Sequence, residues 1–85
     1  MTTQKQLTTA LSHLGIRLTK LGINPYRLNA FRKDLADFVK ESNFQVETTD
    51  IFNLPSYQLM IKESDDSVQF TIRKVITAFT KEIQR

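Results

Sequence analysis

The sequence predicts a small α+β domain: an N-terminal antiparallel helical hairpin packed on a small antiparallel β-sheet and closed by a C-terminal helix. Three observations predict it. Leucines recur at helical spacing near the start, a second amphipathic run follows a Gly-Ile-Asn-Pro break, and two later runs alternate apolar and polar residues about a polar turn.

The first helix rests on Leu7, Leu11, Leu14, Leu18 and Leu21. Steps of four and three place all five in one stripe. Gly22 follows and suits a left-handed C′ position, with Ile23 as the hydrophobic contact that folds back. The second helix starts at once. Asn24 is an N-cap residue and Pro25 fits the first helical position. Its inward stripe is Leu28, Phe31, Leu35, Phe38 and Val39, and it ends near Ser42-Asn43. So short a connection makes the pair an antiparallel hairpin.

The period then changes. Tyr57, Leu59 and Ile61 alternate, as do Val68, Phe70 and Ile72. Folded about a Glu63–Asp66 turn, the runs pair Ile61 with Val68, Leu59 with Phe70 and Tyr57 with Ile72. All six then share one sheet face. Phe44 and Val46 begin a third strand, and Pro55 separates it from the hairpin. Ile51, Phe52 and Leu54 fall in a connection, where they close one end of the core or form a docking knob. After Arg73 a C-terminal helix turns Val75, Ile76, Phe79 and Ile83 inward. The alternative is an all-α four-helix bundle. Val68 and Ile72 extend that last stripe, and Ser64 or Asp65 caps it. The hairpin is preferred because the helical reading leaves Phe70 off the face and loads one helix with β-branched residues.

Eighty-five residues allow one domain, residues 1–85, with one core. Hydrophobic residues at 40% and charged residues at 25% fit a globular chain and not a disordered one. The absence of cysteine excludes disulfides, thiolate metal sites and thiol nucleophiles, and fits a reducing, cytoplasmic setting. The polar start, Met1-Thr2-Thr3-Gln4-Lys5-Gln6, does not read as a signal peptide, and no apolar run approaches a membrane span.

No reaction class finds its residues. The one imidazole, His13, stands beside the leucine stripe near Arg17 and Lys20. Asp34 and Asp37 lie on the polar side of the second helix. Asp65 and Asp66 fall in a turn, too few for a metal shell. Gly15 and Gly22 are isolated, so no phosphate loop is present. No cofactor, metal or catalysis is expected.

Charge distribution carries the functional expectation. The net charge is +3, but residues 1–33 hold Lys5, Arg17, Lys20, Arg27, Arg32 and Lys33 and no acid. An anionic partner fits that half. At about 100° per residue, Ile16 stands opposite the leucine stripe among cations. The expected function is therefore regulatory or accessory. It rests on binding another protein with an acidic surface through His13, Ile16, Arg17 and Lys20. A homodimer that covers helix 1 on both sides is a variant of this. The alternative is nucleic-acid binding through Lys5, Arg17, Lys20, Arg27, Arg32 and Lys33. The helix–strand–strand–strand–helix order resembles a double-stranded-RNA-binding domain in order alone, with that family's basic cluster reduced to Arg73-Lys74.

Overall fold

A computed structural model describes residues 4–84. Met1, Thr2 and Thr3, which belong to the polar start, lie outside them. Five helices follow in order: α1 (Gln4–Lys20), α2 (Pro25–Glu41), α3 (Thr48–Phe52), α4 (Pro55–Lys62) and α5 (Asp66–Ile83). Among the described residues there is no strand, so the fold is all-α and the expected α+β sheet is absent.

The first hairpin follows its local signals. Leu7, Leu14 and Leu18 are buried, with Leu11 and Leu21 packed against them. Gly22 has φ +78°, which a β-carbon would strain. The Asn24 side chain accepts from the Tyr26 amide at 2.9 Å, and Pro25 opens α2. α2 ends at Glu41, and Asn43 and Phe44 then both take left-handed conformations, at φ 55° and 63°. The Phe44 amide donates to the Val39 carbonyl at 2.8 Å. This reversal replaces the strand expected at Phe44 and sends Val46 into the core.

The connection expected around Ile51 is instead helix α3, opened by the Glu47 amide donating to the Asp50 carboxylate at 3.1 Å. Ile51 is buried, and Phe52 and Leu54 pack beside it. Phe52 and Phe31 both stack tilted on Tyr57, with ring centroids 5.2 and 5.7 Å away. These apolar residues close the core.

The hairpin expected over residues 57–72 is the main correction. Pro55 opens a helix instead of separating strands, and Tyr57 and Met60 face inward. The Asp65 carboxylate caps α5 by accepting from the Val68 amide at 2.9 Å. The turn between α4 and α5 is stapled by Gln69, whose side-chain amide donates to the carbonyls of Ile61 and Ser64 at 3.0 and 2.9 Å. Ile72, Ile76, Phe79 and Ile83 then form one unbroken buried stripe. A hairpin would have cut that stripe at Arg73 and left a two-stranded ribbon, which is marginal by itself in water. The β-branched residues cost only a few tenths of a kcal/mol each in a helix, roughly, whereas burying an Ile side chain is worth about 2 kcal/mol. Packing therefore overrides propensity. The bundle alternative held this stripe with Ser64 or Asp65 as its cap, and the structure uses Asp65. That alternative lacked α3.

α1 lies between α2 and α5, while α4 packs on α2 and α3 bridges α4 and α5. Two polar side-chain contacts tie distant segments. His13 Nδ1 lies 3.0 Å from Glu82 Oε2, joining α1 to α5. Arg27 donates to Glu63 through Nε at 3.0 Å and Nη2 at 3.2 Å, joining α2 to the end of α4.

Candidate docking groove between α1 and α2

α1 and α2 run antiparallel across the turn between Lys20 and Pro25, so residues equidistant from the middle of that turn face one another. Gly15 faces Arg32. A β-carbon at Gly15 would stand 3.2 Å from Arg32 Cζ. The missing side chain is filled by the guanidinium, which lies across the helix backbone. Arg32 Nε is shielded there without a hydrogen-bond partner. Outside this contact the helices diverge into a groove of about 720 Å³. Gly15, Ile16, Ile23, Pro25, Leu28 and Arg32 line it, with Lys20 alongside. None of its lining residues is acidic.

Ile16 is 57% exposed on one wall of this groove. Of the four residues expected to form one face of α1, two line the groove. Ile16 and Lys20 stand on the groove side. His13 Nδ1 instead meets Glu82 of α5, and Arg17 is exposed. Glu82 is a carboxylate that no local reading of the acid-free front half brings near His13.

Two of the six cations of the nucleic-acid reading, Arg27 and Arg32, turn to different neighbours. Arg27 reaches α4 and is held there by Glu63, whose hydrogen bond and charge raise the guanidinium pKa further above its ordinary value. Arg32 turns the opposite way, onto α1. Lys33 is exposed on α2, and Lys5 stands near the start of α1. Lys20 and Arg32 both line the groove.

The sequence reading missed Arg32 as a groove residue, since its signal was an unexplained glycine in mid-helix. It also missed an exposed row on α5. Phe70 is 58% exposed, and Lys74 Nζ sits 4.6 Å from its ring centroid. On the same helix the exposed Arg73 approaches Tyr57, whose hydroxyl is buried and makes no well-formed hydrogen bond. Burial raises the Tyr57 pKa, and the charge and hydrogen-bonding of Arg73 oppose that shift.

Among the described residues no group of three His, Asp or Glu side chains is placed to hold a metal ion. No helix among them is long and apolar enough to cross a membrane. No protein-family model, no curated protein and no solved structure matches the chain.

Proposed function

We propose that this protein is a non-catalytic accessory or regulatory domain that binds another protein, taking an acidic segment with a large apolar side chain into the α1–α2 groove. The carrying observation is the pairing of an exposed Ile16 with Lys20 and Arg32 around an apolar floor free of carboxylates. Covering Ile16 contributes roughly 1 to 2 kcal/mol, and the cations select an acidic partner over a basic one. A cytoplasmic setting fits a chain without cysteine.

The test is affinity capture from source cells, with the partner identified by mass spectrometry and its binding measured again with purified proteins. Ile16→Asp combined with Lys20→Glu should weaken that binding at least tenfold while the melting temperature holds. Equal affinity for the double variant would remove the groove from the interface. Direct nucleic-acid binding is the weaker reading because Arg27 and Arg32 leave opposite flanks of α2. Affinity falling steeply with salt in a mobility-shift assay would favour it.

A further inference from the structure

α2 and α5 carry matching rows of exposed residues on faces turned away from the core. On α2 the row is Ala30, Asp34, Asp37 and Glu41. On α5 it is Phe70, Lys74, Thr77 and Lys81. Both rows step four, three and four residues, the spacing of a left-handed helix–helix seam. Among the described residues no ion pair occupies these carboxylates or ammonium groups; the close contacts of opposite type there are Arg27–Glu63 and His13–Glu82.

We propose that α5 of one copy docks on α2 of a second copy, with the two helices parallel. In this register Phe70 lies over Ala30, Lys74 meets Asp34, Thr77 meets Asp37 and Lys81 meets Glu41. A large ring then covers the smallest side chain, and both lysines find carboxylates two helical turns apart, about 10.5 Å, on each helix. The antiparallel register sets Phe70 against Glu41 and leaves Lys81 on Ala30, so the parallel one is selected. α1 separates α2 from α5 within a chain, so one copy cannot satisfy both rows itself. The contact joins unlike surfaces and is head-to-tail, forming a ring or an open row of copies. Exposed ion pairs are individually weak, so the association is weak and salt-sensitive. It does not depend on the α1–α2 groove.

The test is sedimentation equilibrium of the full chain from about 10 µM to about 1 mM, in roughly 20 mM and roughly 500 mM salt. At low salt and high concentration the mean mass should exceed the 9.9 kDa monomer by at least about 1.5-fold, and high salt should restore the monomer. Lys74→Glu with Lys81→Glu should abolish association, as should Asp34→Lys with Glu41→Lys in a separate chain. Mixing the two variants restores opposite charges across the contact and should restore association, which only folded chains can do. Wild-type protein that stays monomeric throughout overturns the proposal. So do variants that associate alone, or a mixture that remains monomeric. Monomeric protein that instead binds a single-stranded oligonucleotide through Lys74 and Lys81 also overturns it and reassigns the row to nucleic acid.

Discussion

The Arg32 guanidinium rests on the backbone of α1 at Gly15, with Cζ 3.2 Å from where a β-carbon would stand. A glycine in mid-helix costs about 1 kcal/mol relative to alanine. At Gly15 that cost accompanies a close approach that no other residue permits without displacing Arg32.

Gly15→Ala should therefore separate stability from binding. The added methyl meets only the end of a flexible side chain, which can swing outward. Stability should rise by up to about 1 kcal/mol, raising the melting temperature. Partner affinity at the groove should fall as Arg32 moves. Calorimetry on folding and on binding reads the two effects independently.

Phe70 and Ile72 discriminate the helix from the hairpin. In a hairpin both lie on the same sheet face and both are expensive to truncate. In α5, Phe70 is mostly exposed and Ile72 is fully buried. Phe70→Ala should cost within about 0.5 kcal/mol. Ile72→Ala should cost about 2 to 5 kcal/mol in urea denaturation. Similar costs for the two would return the hairpin. Circular dichroism should show helix near the 80% of the structure.

Asp65→Ala removes the carboxylate that accepts from the Val68 amide. The loss should be about 1 kcal/mol, read as a lower denaturation midpoint with an unchanged m-value. Amide exchange should accelerate first in the opening turn of α5.

Tyr57 is 3% exposed, and its hydroxyl makes no well-formed hydrogen bond. Tyr57→Phe should change stability by no more than about 1 kcal/mol, because the hydroxyl it deletes is buried with only the exposed Arg73 beside it. The pH dependence follows from the raised pKa. The folded state holds its phenolic proton more tightly than the unfolded chain. The stabilisation is present below the ordinary value of 10.0 and is lost as pH rises through the folded value. Wild type should therefore lose stability above about pH 10 faster than Tyr57→Phe. Parallel curves would show that Tyr57 is not the group responsible.

The first 42 residues were legible by themselves, because their signals are local. The Leu7–Leu21 spacing, Gly22 at positive φ, and Asn24 with Pro25 each act within a turn or two of chain. Residues 57–72 were not. Positions i and i+4 share a face in both a strand and a helix, so Tyr57 with Ile61 and Val68 with Ile72 fit either period. Only the middle positions discriminate, and Leu59 and Phe70 are apolar there, as a strand requires. Both are exposed nevertheless, at 45% and 58%. What outweighed them was the long buried stripe from Ile72 to Ile83, a cooperative packing term that no short window contains. The candidate site divides in the same way. An acid-free, basic front half and an outward Ile16 can be read from residue order, since charge and helical phase are local properties. That Arg32 fills the space over Gly15, that Glu82 claims His13 and that Glu63 claims Arg27 were decided only by the fold, because each depends on a partner brought from 17, 69 or 36 positions away.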